Sequence, residues 1–262
     1  MALQSLCSGT SESIPKWAED LLEKIKIGEI IGLIEKDFSI EEIEFRDKRE
    51  NFESIKLHSV EIIGNCIYHS FYIEQIIIDY QFHITLIDIL NNNLESDSFS
   101  VIICWILANS VLNCNFLGDQ YFEKGVDQKM FGFIKSSKNS RLISEAIRVL
   151  CYLIQNIKLE YLSEMIEDKA FINIFITFLT EHDTLSDSHE VIMFTIYDLV
   201  NSSRYLDLHK KIFTLLEKIN GIELIEYYSK NVKNEILSYH CNKIIAQYNQ
   251  YLFYSQPLEI IK

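Results

Sequence analysis

A chain of 262 residues with 48% hydrophobic and 24% charged side chains can bury a large core, which excludes an intrinsically disordered protein. Its net charge of −14 excludes the basic footprint that nucleic acid or an anionic membrane surface requires, and no stretch supplies the ~18 consecutive apolar residues of a membrane span. Only two prolines, Pro15 and Pro257, and eight glycines interrupt the chain, so almost all of it is free to be helical and the expected class is all-α.

The N-terminal "MALQSLCSGTSESIPKW" has neither the basic start nor the apolar run of a signal peptide, so residues 1–24 read as a tail and the expected location is cytoplasmic or nuclear. From residue 25 onward apolar helical runs come in pairs. "GEIIGLIE" precedes "EIIGNCIYHSF", "ITLIDIL" precedes "VIICWILANSV", and "KMFGFIK" precedes "AIRVLCYLIQN". "INIFITFL" then precedes "MFTIYDLV", and "GIELIEYY" precedes "LSYHCNKIIAQ". Polar links such as "NNNLESDSFS", "KSSKNS", "TEHDTLSDS" and "SKNVKN" separate the members of a pair. The pattern ends near residue 254 and leaves 255–262 as a second tail.

Four of the six cysteines, Cys66, Cys104, Cys151 and Cys241, fall inside the second member of a pair. A free cysteine in such a run acts as a small buried hydrophobe, and the absence of a CxxC pair argues against a metal framework. With "GNCIYHSF", "CWILANSV", "IRVLCYLI", "MFTIYDLV" and "SYHCNKII" aligned, the second column holds Asn65, Trp105, Arg148, Phe194 and Tyr239, at intervals of 40 to 46 residues. A drifting period of that size, with helices that cannot bury their faces alone, is the sign of an α-solenoid. Inner helices are expected near 60–72, 99–114, 140–157, 187–201 and 232–250.

The order of short helix, glycine, second helix and long inner helix resembles the armadillo repeat. The clearest copy is "FLGDQYFEKGVDQKMFGFIKSSKNSRLISEAIRVLCYLIQN", where Gly125 stands at the sharp turn between first and second helices; Gly221 in "KINGIELIEYY" takes the same place. The likeness implies a right-handed α-solenoid of about five repeats over residues 25–254. "CWILANSV" in turn resembles the inner helix of importin-α repeats, with tryptophan, three residues, then asparagine. In that family, the resemblance implies, asparagines of a concave face bind the backbone of an extended peptide and tryptophans flank the stems of its lysines. A carboxamide can meet any peptide group as donor and acceptor. An indole beside an ammonium gains about 0.5–2 kcal/mol.

Carried over by position, the asparagine column holds His69, Asn109, Tyr152, Asp198 and Lys243. The candidate peptide-binding residues are therefore Trp105, Asn109, Asn65, His69, Phe194 and Asp198. Trp105 and Asn109 alone reproduce both columns of the motif. Arg148 and Lys243 oppose a basic peptide, whereas Phe194 and Asp198 favour one. Residues 1–56 carry no dense basic segment like that of importin-α. The pair at 105 and 109 equally suits a repeat core, with the indole as filler and the amide bonded within the stack.

No phosphate-binding glycine loop, GxSxG or cysteine–base pairing occurs, so neither an enzyme nor a cofactor is expected. His182, Asp183, Asp187 and His189 in "EHDTLSDSHE" have metal-ligand chemistry but no metal-site spacing, and the segment reads as a link between helices. The expected function is binding of a protein partner through an extended, basic, nuclear-localisation-type segment on the concave face. The alternative is an armadillo- or HEAT-like scaffold or chaperone cofactor that uses another surface. The sequence leaves the oligomeric state open.

Overall fold

The computed structural model of the chain describes residues 31–32, 54, 56–65, 77, 79–91, 97–167, 170–181, 187–202 and 205–255. The fold is all-α, an armadillo-type α-solenoid: twelve helices and no strand occur among the described residues. It forms two compact units, residues 1–114 and 115–262, and their boundary falls inside the stretch expected to be one repeat domain.

Unit 1 contains α1 (residues 56–65), α2 (Phe82–Asn91) and α3 (Asp97–Asn113). Phe82, Leu86, Ile87 and Leu90 place one apolar stripe of α2 in the core. Nearly the whole circumference of α3 is buried, through Phe99, Ile103, Cys104, Ile106, Leu107 and Val111, which explains why its sequence shows no polar face. The approach of α1 to α3 is close because Gly64 has no side chain. A Cβ there would stand 2.7 Å from Cζ3 of Trp105 and 2.7 Å from Cγ1 of Ile106.

Unit 2 holds three complete three-helix repeats. They are α4 (Leu117–Glu123), α5 (Val126–Ser136) and α6 (Ser140–Asn156); α7 (Leu159–Glu167), α8 (Ala170–Glu181) and α9 (Asp187–Asn201); then α10 (Leu206–Lys218), α11 (Gly221–Asn231) and α12 (Glu235–Ser255). Like helices stack: α6, α9 and α12 form one packed row, and α5, α8 and α11 another. The inner helices expected at 140–157 and 187–201 are found within a residue of those limits. The last starts three residues later than expected and continues to Ser255.

Local chemistry sets these boundaries. Asn139 caps α6, its side-chain oxygen accepting from the backbone N–H of Arg141 at 3.1 Å and of Leu142 at 3.2 Å. Asn234 caps α12 by accepting from Leu237 N–H at 3.0 Å. Gly125 takes the left-handed conformation (φ 72°) at the turn into α5, as its position in the repeat predicts. In the last repeat that role falls to Asn220 (φ 55°), one residue before Gly221, because asparagine also tolerates the left-handed region. Gly221 is kept small by crowding instead: a Cβ would lie 2.8 Å from Cδ2 of Leu216.

Polar side chains tie the inner helices together at the spacing of the repeat. Gln155 donates to the Thr195 hydroxyl (3.1 Å), 40 residues away. Asn234 donates to Glu190 across 44 residues. Gln247 donates to Asn201 (3.1 Å) across 46. These pairs advance together along both helices, so the row is parallel and in register.

Cys104, Cys114, Cys151 and Cys241 are buried free thiols, and Cys66 lies outside the described residues. Burial pushes Cys151 and Cys241 from 9.0 up to about 12. At pH 8 these four should therefore resist an aqueous thiol reagent in the native protein and react at once after unfolding. Unfolded thiols ionise near pH 9 while the folded ones stay neutral, so their contribution to stability is intact below pH 9 and falls as pH rises from 9 to 12. Urea titrations across that range, compared with a Cys151→Ala variant, measure it.

Candidate functional site

The sequence-selected residues fall into two patches, one in each unit. In unit 1, Trp105 and Asn65 are half-buried and Asn109 is only 2% exposed. The Trp105 ring lies against Gly64, the neighbour of Asn65, so two of the aligned positions are close in space. Nδ2 of Asn109 donates to the Trp105 carbonyl at 2.9 Å, and Nδ2 of Asn113 repeats the bond one turn later, to Asn109 O at 2.8 Å. These amides thus bond back onto their own helix. His69 lies outside the described residues.

In unit 2, Phe194 and Asp198 stand one turn apart on α9; Phe194 is 39% exposed and Asp198 half-buried. Phe194 belongs to an aromatic cluster shared with α12. Its ring centroid lies 5.3 Å from that of His240, which stacks on Tyr197 at 5.3 Å and meets Tyr239 edge-on at 5.6 Å. Tyr239 is 52% exposed, and Ile236, one turn before it, is 59% exposed. Nδ1 of His240 is buried without a hydrogen-bond partner, and burial pushes the imidazole pKa down against the opposing pull of Glu190. His240 is therefore neutral at pH 7, and the cluster behaves as an apolar platform.

Two of the cations on these inner helices are already placed over rings. Lys243 holds its ammonium 5.4 Å from the Tyr239 ring centre, one helical turn away. Arg148 lies 5.8 Å from the Tyr152 ring and pairs with Glu145 at 2.9 Å. Burial raises the Glu145 pKa, and the Arg148 charge partly offsets it.

Tyr197 and His240 were not among the sequence candidates. The signal was present, since Tyr197 is three residues from Phe194 and His240 adjoins Tyr239, but a search limited to positions four apart passes over them. The "EHDTLSDSHE" link is shorter than its composition suggests: Asp187, Ser188 and His189 already belong to α9. His189 is buried between the rings of Phe178 and Tyr228. Among the described residues no group of three or more His, Cys, Asp or Glu could hold a metal ion, and no helix is long and apolar enough to cross a membrane.

The sequence matches no protein-family model and no curated protein. Its fold is similar to solved designed proteins. A designed armadillo-repeat protein in complex with the peptide (KR)4 superposes with a TM-score of 0.67 at 16% identity, over 95% of this chain and 90% of that one. A second designed armadillo-repeat protein gives a TM-score of 0.69 at 14% identity, over 94% and 90%. An engineered protein solved by crystallography gives 0.68 at 12%, over 95% and 88%.

Proposed function

We propose that this chain is a protein-binding armadillo-type repeat protein whose inner-helix faces each take an extended segment of a partner. The observation that carries the reading is the aromatic platform of unit 2. Phe194, Tyr239 and Ile236 are exposed on helices whose other faces supply core residues such as Ile192, Ile196, Leu237 and Ile244. Large apolar side chains grouped on one face, in contact with further rings beside them, are the features of a surface built for contact. A similar solved fold is held with the peptide (KR)4, which fits an extended ligand.

In unit 1 we assign Trp105, Asn109 and Asn65 to a basic, importin-α-like segment. Trp105 would flank a lysine stem, and Asn109 would exchange its bond to the Trp105 carbonyl for one to the ligand backbone. His69, one turn beyond Asn65 in the sequence alignment, joins the same proposed set. Phe194 and Asp198 hold the same two columns in unit 2 and contact the segment bound there.

Titration of a labelled lysine/arginine peptide into wild type, Trp105→Ala/Asn109→Ala and Phe194→Ala tests this reading. The double variant should lose at least tenfold in affinity, about 1.4 kcal/mol. Phe194→Ala, an exposed position in the other unit, should change stability by less than about 1 kcal/mol and leave the affinity for this peptide unchanged. If wild type binds no lysine-rich peptide and Trp105→Ala lowers the melting temperature sharply, the basic-segment reading ends. A second reading, a scaffold that uses another surface, is favoured by the end of α12, where Phe253 and Tyr254 are 74% and 81% exposed.

A further inference from the structure

We propose that the last rung of unit 2, Phe194, Tyr239 and Lys243, selects a partner segment carrying an acidic residue beside an aromatic or leucine side chain, and rejects lysine and arginine there. This rests on the reading that the inner face of unit 2 binds an extended segment, and it names the chemistry of that segment.

The place above an aromatic ring where a partner's lysine would gain a cation–π contact is taken. Lys243 occupies it over Tyr239 at 5.4 Å. The same arrangement recurs two repeats earlier, where Arg148 sits over Tyr152 at 5.8 Å. The two cations differ in what else they hold. Arg148 is neutralised by Glu145 at 2.9 Å, whereas among the described residues no carboxylate lies within ion-pair distance of Lys243, whose ammonium is exposed. A basic segment arriving at this rung meets a like charge and must dislodge Lys243 from its ring. An acidic side chain supplies the carboxylate that Lys243 lacks and leaves the Lys243–Tyr239 contact in place.

Apolar surface next to the ammonium completes the match. Ile236, Tyr239 and Lys243 follow one another at spacings of three and four along α12, so they share a stripe. Phe194 on α9 borders it through the His240 ring. Contacts among Phe194, Tyr197, Tyr239 and His240 fix the rings before any ligand arrives, which reduces the ordering cost of binding. An aromatic or leucine side chain fits on these rings while its acidic neighbour reaches Lys243. The chain's overall charge of −14 acts on the ligand from all sides, but at physiological salt it is screened beyond about 8 Å, so selection at the rung is local.

Three labelled peptides of equal length, each with phenylalanine at every third position and glutamate, glutamine or lysine elsewhere, test the proposal by fluorescence anisotropy. In the Trp105→Ala/Asn109→Ala variant, which silences the basic-segment site proposed for unit 1, the glutamate peptide should bind tightest and the lysine peptide weakest. Lys243→Glu should invert that order, with at least a tenfold loss for the glutamate peptide. Tyr239→Ala should weaken the glutamate peptide, and because both residues are exposed the melting temperatures should hold. Preference of that parent variant for the lysine peptide, or an order unchanged when Lys243→Glu is added to it, overturns the assignment while leaving peptide binding intact. Failure of all three peptides to bind the parent variant overturns the assignment together with the peptide-binding reading of unit 2.

Discussion

Phe175→Ala should cost about 3–5 kcal/mol, the largest loss expected from any single substitution considered in unit 2. Phe175 is fully buried in α8, with its ring 5.7 Å from Phe171 in an edge-to-face contact at 77°. Deleting the ring removes its transfer free energy, leaves a cavity and ends an aromatic pair worth about 0.5–1.5 kcal/mol beyond its area. The site cannot collapse easily, because α8 is packed by α5 and α11 in its own row and by α7 and α10. Urea denaturation followed by circular dichroism gives the value. A loss below about 1 kcal/mol would mean that the middle repeat is not the core of the unit.

Gly118→Ala should be nearly as damaging, at about 3 kcal/mol, for the opposite reason. Its added Cβ would lie 2.3 Å from the carbonyl oxygen of Asn156 and 2.7 Å from the carbonyl carbon, so the clash is with backbone at the end of α6 and no rotamer change relieves it. Gly132 provides the control. It too is helical, but it is exposed where Gly118 is buried, and a Cβ there meets nothing within 4 Å. Gly132→Ala should therefore stabilise by about 0.5–1 kcal/mol through helix propensity alone. Opposite signs for one chemical change, read from two thermal melts, would confirm that close approach dictates the first glycine.

The periodic apolar runs made the inner helices legible in the sequence, since Leu142, Ala146, Leu150 and Leu153 on α6 mark a stripe that only a helix aligns. The first helices were less visible. Residues 206–218, "LDLHKKIFTLLEK", alternate charged and apolar side chains over a stretch that could equally be a link, and only packing of α10 on α7, α8 and α9 settles it. Candidate-site geometry was harder still. That Trp105 would rest on Gly64, or that Tyr197 would stack on His240, depends on which turns of two helices meet, and a repeat alignment fixes that only to within a turn. The displaced left-handed residue at Asn220 shows the same one-residue slack.

The in-register pairs of the inner helices also bear on how unit 2 comes apart. Among its described hydrogen bonds the longest in sequence, from Tyr228 to the carbonyl of Leu179, spans 49 residues, about the length of one repeat. Cooperativity is thus passed hand to hand between adjacent repeats. Such a unit unzips from an end, as a one-dimensional array does. Amide exchange should accordingly be slowest in α8 and α9, which have a repeat on either side, and fastest along the overhanging end of α12, where opening disturbs a single interface.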